Sequence, residues 1–200
     1  PDQVKLTFKN EYRIDTDGRN SFLSDTQSEI KMTPNFFLLG EYEYSVSQTD
    51  YASIDKRQVG VAYRPVKFDW FNALVKYTRL KDRRPDDVLH PTGGFFESES
   101  LARVYAGEYS LDLPLALQFV QKLAYKDENI LAVNNTKTIQ TEDDLIAVLQ
   151  AYRLNHHLTR WLDTAVEYRI LGRQGPGVDH DEKGVLVEAM VYPKKEFGIG

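Results

Sequence analysis

Hydrophobic and polar side chains alternate along most of this chain. In the first segment, residues 4–14, apolar residues stand at even positions and polar residues at odd positions, and only Asn10 interrupts the apolar series. A period of two places the apolar side chains on one face of a β-strand, whereas a helix would scatter them around its surface. The segment therefore predicts a strand, and its length of about eleven residues suits a tilted strand that crosses a bilayer.

The same alternation recurs to the end of the chain. It is clear in the segments 36–47, 58–64, 71–78, 102–106, 115–126, 145–153, 162–170 and 183–191, it is weaker in 21–32, and a last strand is predicted to begin near Glu196. We count about eleven strands, which cover roughly 60% of the chain, against a usual strand content of about 20–25%. An excess of this size indicates an all-β protein with a special architecture, and a closed barrel is one that permits it.

The predicted links between the strands fall into two groups. Short links are expected at 33–35, 65–67, 112–114, 155–157 and 193–195, and longer polar links at 48–56, 81–97, 127–142 and 173–182. Short and long links alternate, as in outer-membrane barrels with short periplasmic turns and longer external loops. Every proline after Pro1 falls in or beside a link, as ladder hydrogen bonding requires. The links therefore favour an up-and-down barrel.

Composition removes several other classes of protein. No run of residues approaches the roughly 20 apolar positions that a membrane-spanning helix needs, and the net charge of −5 argues against a nucleic-acid-binding protein. The chain has no cysteine, which excludes a disulfide framework and a thiol nucleophile. Its 12 tyrosines and 10 phenylalanines are too many for a disordered chain.

The whole chain resembles the β-barrel proteins of the Gram-negative outer membrane. The hairpin formed by residues 59–65 and 71–78 (VGVAYRP and FNALVKYT) is similar to hairpins in the C-terminal barrels of large surface proteins. The resemblance implies a transmembrane antiparallel up-and-down β-barrel in the bacterial outer membrane. Its partners would be outer-membrane lipids and, as a further candidate, a larger surface or periplasmic assembly, with no nucleic acid.

Residues 1–200 are expected to form a single β-barrel domain. The sequence stops at Gly200 within a predicted strand, without the terminal aromatic residue that such barrels usually have. Bacterial barrels normally have an even number of strands. We therefore expect twelve or more strands in the complete barrel, which would be incomplete here at the C-terminus and open to further strands at the N-terminus.

The barrel gives the two faces different surroundings. Parity alone does not say which face points inward, but the long strands, the sorted links and apolar positions rich in Tyr, Ala and Val favour charged residues inside. The predicted lumen-facing residues are Lys5, Lys9, Glu11, Arg13, Glu41, Glu43, Arg64, Lys76, Arg103, Lys122, Lys126, Arg153, Asp163, Glu167 and Arg169. The predicted lipid-facing residues are Leu6, Phe8, Leu38, Tyr42, Val61, Val75, Leu117, Phe119, Leu149, Val166 and Val187.

Candidate catalytic and metal-binding groups are sparse. Glu41 and Glu43 share a strand face at the spacing of a glycosidase acid pair, but pairing with basic residues on adjacent strands is the simpler interpretation. His156 and His157 are predicted in a turn, and His180 lies between two aspartates in a predicted loop. No serine stands beside a histidine as a barrel lipase would need. We therefore predict no catalytic residue, no metal site and no cofactor.

Two functions fit this sequence best. The barrel is expected to act as a passive conduit, either porin-like or part of an export system, or as a membrane anchor for a larger assembly, without catalysis. A soluble β-barrel that binds an apolar ligand is the alternative, and it would require the apolar series to face inward. An outer-membrane enzyme is the weaker alternative.

Overall fold

Ten β-strands account for nearly all of the computed structural model, which describes residues 3–14, 20–47, 52–67, 70–85, 97–133, 139–159 and 162–192. The strands are β1 (Val4–Ile14), β2 (Asn20–Lys31), β3 (Phe36–Ser47), β4 (Ala52–Tyr63), β5 (Phe71–Pro85), β6 (Glu97–Leu113), β7 (Leu117–Val133), β8 (Ile139–Thr159), β9 (Leu162–Gly175) and β10 (Val178–Val191). In these ranges no helix is long and apolar enough to cross a membrane.

Every strand pairs with its neighbours in the sequence, and all pairings are antiparallel. The sheet order β1 to β10 is the up-and-down order, so the predicted all-β, antiparallel up-and-down fold class is confirmed. The ten strands correspond to the first ten predicted strands. The eleventh, expected near Glu196, lies outside the described residues.

Two of the predicted short links agree closely with the structure. Residues 32–35 join β2 to β3, where the Thr33 hydroxyl accepts hydrogen bonds from the backbone N–H groups of Asn35 (3.3 Å) and Phe36 (3.1 Å). The link from β4 to β5 begins at Arg64, and the predicted residues 65–67 lie within it. The Asn35 side chain accepts a hydrogen bond from the backbone N–H of Val66 at 3.2 Å, which ties the two neighbouring links together.

Other links are displaced from their predicted positions. The β6–β7 turn is residues 114–116, two residues later than expected, with left-handed backbone at Leu115 (φ 66°) and Ala116 (φ 56°). The turn predicted at residues 155–157 is wrong, because these residues lie in β8 and pair with residues 163–165 of β9. The long link predicted at 173–182 is also wrong, because Pro176 and Gly177 (φ 72°) form a tight turn there.

The register shows why polar residues were wrongly predicted to form links at 155–157 and 173–182. Polar residues occupy the ends of long strands, which keep their ladder pairing beyond the apolar stretch. β7 and β8 contain 17 and 21 residues, whereas crossing a membrane needs about 9–11. A polar stretch at the end of such a strand therefore looks like a loop in the sequence.

The strands are staggered across the sheet. Following paired residues from Val4, the first residue of β1, through all ten strands leads to Lys183, eight residues before the end of β10. Nine interstrand steps of about 4.8 Å against eight residues of about 3.3 Å give a strand tilt of roughly 30°. Strands must tilt in this way for a sheet to close into a barrel.

The register also divides the side chains between two faces, because directly paired residues of an antiparallel sheet share a face. We call the face that carries Val4, Leu6 and Phe8 the apolar face. The opposite face, which carries Lys5, Lys9 and Glu11, is the charged face. Each later residue is assigned to one of them by its partners.

Candidate functional site

The charged face collects nearly all of the residues that the sequence predicted to line a lumen. The register places thirteen of the fifteen there: Lys5, Lys9, Glu11, Arg13, Glu41, Glu43, Lys76, Lys122, Lys126, Arg153, Asp163, Glu167 and Arg169. Arg64 follows β4 and turns to the same face, since its guanidinium lies 4.0 Å from Glu29 and stacks on the Phe37 ring. Fourteen of the predicted residues are therefore brought together.

Arg103 is the exception, and its prediction is wrong. It pairs directly with Arg79 of β5 and Asp127 of β7, on the apolar face. The sequence misled because β6 has apolar residues on both faces. Ala102 is fully covered on the charged face. Because an apolar residue next to Arg103 in the sequence stands on that face, the alternation in residues 102–106 predicted the wrong face for the arginine.

The predicted lipid-facing residues show one parallel error. The apolar face carries Leu6, Phe8, Leu38, Tyr42, Val61, Val75, Leu117, Phe119, Val166 and Val187. Leu149 is on the charged face, where it pairs with Ala124 and Leu171. As in β6, the charged face of β8 carries alanines. Ala147 and Ala151 stand on either side of Leu149 in the alternation, so the three residues look like an apolar, lipid-facing series in the sequence.

Burial distinguishes the two faces sharply. Phe8, Val75 and Val187 on the apolar face are 66%, 65% and 71% exposed. The buried strand residues, by contrast, are on the charged face: Ala62, Ala102, Val120, Ala151, Ala165 and Glu167. Side chains converge on the concave side of a curved sheet, so the charged face is the concave one. Among the described residues, no large apolar side chain is fully buried.

A chain of polar contacts crosses β3, β4 and β5 on the charged face. The Lys56 ammonium donates to Glu41 at 2.6 Å and lies 3.5 Å from Glu43. The Gln58 amide donates to Glu41 at 3.0 Å and accepts from the Thr78 hydroxyl at 3.0 Å. The two glutamates therefore share a lysine from the next strand, as expected, and are not an isolated pair of acids.

A second network joins β8, β9 and β10. Arg153 donates to Glu167 of the adjacent strand at 3.3 Å and reaches across β9 to Glu188 at 2.6 Å. Arg169 also pairs with Glu167. Glu167 is only 6% exposed, so its charge depends on these two arginines.

Further ion pairs extend this pattern over the rest of the charged face. Glu128 accepts hydrogen bonds from Ser100 and Lys126, both at 2.5 Å, and Lys122 lies 3.3 Å from Glu108. Near β1, an open depression with an empty volume of about 570 Å³ is lined by residues that include Lys5, Thr7, Gln27, Glu29, Glu41 and Gln58. The charged face therefore has a polar, solvent-accessible surface rather than an apolar binding site.

The three described histidines, His156, His157 and His180, are distributed over both faces of the sheet. His156 and His157 are consecutive strand residues and point to opposite faces, and His157 contacts Asp163 at 2.9 Å. His180 lies in β10, so its neighbours Asp179 and Asp181 are on the face opposite to its own. Across the described ranges, no three histidine, aspartate or glutamate residues come together as metal ligands.

One set of charged residues was missed by the sequence analysis. Arg57, Arg79 and Arg103 are direct partners in β4, β5 and β6, and they lie on the apolar face. The signal was present, since Arg79 continues the alternate series of Phe71, Val75 and Tyr77 by one further step. The alternation of apolar residues ends before the strand does, so the face of Arg79 follows only when the alternation is continued to the end of β5.

Comparison with known proteins supports the fold. No protein-family model and no curated protein matches the chain. The solved structure of a loop L8 deletion mutant of OmpT, an outer membrane protein of Vibrio cholerae, is similar with a TM-score of 0.56 and 12% sequence identity. The match covers 96% of this chain and 60% of that one. The chain thus has the fold of an outer-membrane β-barrel and spans about three-fifths of the length of that structure.

Proposed function

We propose that this chain forms part of a barrel in the bacterial outer membrane and that the barrel acts as a passive conduit. The observation that carries this proposal is the contrast between the faces. Large apolar side chains are exposed on the convex face, and ion pairs cover the concave face. Lipid would cover the first, and an aqueous lumen would surround the second.

The soluble alternative is poorly supported by the same contrast. A soluble barrel that binds an apolar ligand buries its large apolar residues inside. Here the residues that the sheet covers are alanines, Val120 and Glu167. Exposing Phe8, Val75 and Val187 together to water would leave a large apolar surface without a partner.

The arrangement of the ion pairs favours an open conduit. Lys9 and Arg13 pair with Glu11 along β1, and Lys56 of β4 pairs with Glu41 of the adjacent strand β3. Side chains that pair within one strand or between adjacent strands lie along the inner surface of the sheet, so they leave the centre of the lumen open. Because both signs of charge are present, we expect weak ion selectivity. A membrane anchor is the second candidate, since Arg153 already spans one strand to reach Glu188, and longer bridges of this kind would fill the lumen.

Conductance of the complete purified protein in a planar lipid bilayer tests this proposal. Discrete and reproducible steps are expected for a conduit. Insertion without steps would replace the conduit by the anchor. Protein that stays soluble without detergent and does not insert would contradict the outer-membrane proposal itself.

A matched pair of variants links conductance to the charged face. Lys56→Gln leaves Glu41 and Glu43 without their shared cation, so the reversal potential in a salt gradient should shift toward cation preference. Lys67→Gln removes the same charge from the β4–β5 link and should cause a smaller shift. Equal shifts in both variants would argue that the charged face does not line the conducting path.

A further inference from the structure

The arginine row, Arg57, Arg79 and Arg103, lies where the apolar face becomes polar, beside Asp55, Lys81 and Asp127 of the same face. The three residues are direct cross-strand partners. Directly opposed residues have Cβ atoms about 4.5–5.5 Å apart, and like charges in such positions repel. A row of three cations therefore needs a source of negative charge nearby.

Carboxylates within the protein satisfy only the two ends of the row. Arg57 forms two hydrogen bonds with Asp55, at 3.0 and 2.8 Å, and Arg103 lies 3.6 Å from Asp127. Arg79, in the centre, is exposed; no carboxylate of the described residues lies within 4.0 Å of its guanidinium, and Asp55, which is hydrogen-bonded to Arg57, interacts with it only at longer range. The centre of the row is therefore positively charged and accessible.

A row of tyrosines beside the arginine row indicates the depth at which the arginines would lie in a membrane. Tyr77, Tyr105 and Tyr125 form the neighbouring row on the side of the short links, with ring centroids 5.0 and 6.3 Å apart. Tyrosine is enriched at the level of the lipid headgroups. Arg79 lies eight residues from the start of β5, which is about 23 Å along the axis at the tilt derived above. The apolar band of an outer-membrane barrel is about 25 Å tall, so the arginines lie at its edge.

An apolar groove lies directly beneath the tyrosines. Its empty volume is about 670 Å³, and its lining includes Val75, Tyr105, Gly107, Leu123, Tyr125 and Val148. The groove exists because Gly107 has no side chain between Val75 and Leu123, its direct partners. A Cβ atom at Gly107 would have no neighbour closer than 4.0 Å. The groove is thus open space on the surface.

We propose that the arginine row and the groove together bind one phosphorylated lipid of the outer leaflet. The phosphate would accept hydrogen bonds from Arg79 and its two neighbours, and one acyl chain would lie in the groove over Gly107. Guanidinium groups bind phosphate through paired, charge-assisted hydrogen bonds. The inference rests on the proposed membrane location, because it requires the apolar face to meet lipid.

Two variants address the two halves of the site in the complete protein. Arg79→Gln removes the central cation, and Gly107→Leu places a side chain in the groove at a position where a Cβ atom has open space. Arg173→Gln and Gly184→Leu are the matched controls, since both residues are on the charged face and Gly184 also has open space around it. Far-UV circular dichroism and the heat-dependent shift in electrophoretic mobility check that each variant folds.

Native mass spectrometry in neutral detergent, with titrated lipid A as the phosphorylated probe, measures the binding. We expect Arg79→Gln to bind about tenfold more weakly, which is the effect of one charge-assisted hydrogen bond. Gly107→Leu should also weaken binding, and both controls should bind as the unmodified protein does. Phosphatidylcholine should bind more weakly than lipid A to the unmodified protein.

Several results would overturn the proposal. They are equal lipid A affinity in Arg79→Gln and Arg173→Gln, equal affinity for phosphatidylcholine and lipid A, or full displacement of lipid A by an equal concentration of inorganic phosphate. Insertion into bilayers of phosphatidylcholine alone separates this outcome from failure of the proposed function. A protein that inserts there but lacks a preference for lipid A contradicts only the lipid site, whereas failure to insert contradicts the membrane location.

Discussion

One group of charged residues on each face shows an opposite arrangement. On the charged face, Arg153 lies between two glutamates, Glu167 and Glu188, and Lys56 contacts Glu41 and Glu43. On the apolar face, Arg57 and Arg103 flank a third arginine. The first arrangement is satisfied within the protein. The second has two carboxylates, Asp55 and Asp127, for three arginines, and neither forms a close ion pair with the central one.

This difference indicates that the faces meet different surroundings. Networks of opposite charges are stable beside water and need nothing from outside. A cluster of like charges next to exposed tyrosines and valines is stabilised by an external anion. The two arrangements can be tested separately, because single substitutions on adjacent positions of one strand reach opposite faces.

The largest effect is expected from a charge placed in the middle of the apolar face. Val187 lies four residues from the end of β10, about 11 Å along the axis, near the centre of a 25 Å band. Val187→Arg should lower the free energy of unfolding by about 2–4 kcal/mol in lipid bilayers. Urea titration of tryptophan fluorescence in phosphatidylcholine vesicles measures this change.

The control for this substitution is the preceding residue. Leu186 is on the charged face and pairs with Glu167, so Leu186→Arg should cost less than about 1 kcal/mol. If both arginines had the same small effect, Val187 would not face lipid, and the distinction between the faces would fail in β10.

A smaller loss is expected when the buried network of the charged face is broken. Glu167→Gln removes the carboxylate that Arg153 and Arg169 share, and the two cations then repel each other. We expect a loss of about 1.5–3 kcal/mol in the free energy of unfolding. Glu182→Gln is the matched control, because Glu182 is exposed and 3.9 Å from Arg173, and exposed pairs contribute about 0–1 kcal/mol. Equal losses for both variants would show that the Glu167 network does not contribute more than a surface ion pair.

The smallest effect has the opposite sign. Without phosphorylated lipid, Arg79→Gln should stabilise the protein by about 0.2–1 kcal/mol, since it relieves repulsion within the arginine row. The measurement is urea unfolding in neutral detergent at low salt, where charges are least screened. Arg173→Gln should produce no such gain. Destabilisation by Arg79→Gln under these conditions would mean that the arginines are not in net repulsion.

Strand alternation made much of this fold predictable. The first ten strands and their antiparallel order follow from period-two patterns such as residues 4–14, where apolar and polar residues alternate and only Asn10 interrupts the apolar series. Such patterns determine the face of each residue, because a shift of one position in the pairing register would move every side chain of the strand to the opposite face.

The errors have a common physical cause. In β6 and β8, alanines occupy the charged face, where Ala102 and Ala151 are covered by longer neighbours. An alanine is compatible with either face, so parity in these strands depends on pairing partners that the sequence does not reveal. Arg103 and Leu149 were misplaced for this reason. The arginine row itself is a property of three strands together, and no single segment contains it.

The pairing of each strand with its sequence neighbours has a consequence for assembly. Closing a long chain segment costs conformational entropy before its contacts are made, and proteins with distant pairings fold slowly. In this sheet, each new strand needs only a hairpin connection to the strand before it. The sheet can therefore be assembled one hairpin at a time, with an edge strand available at every stage to pair with the next strand of the sequence.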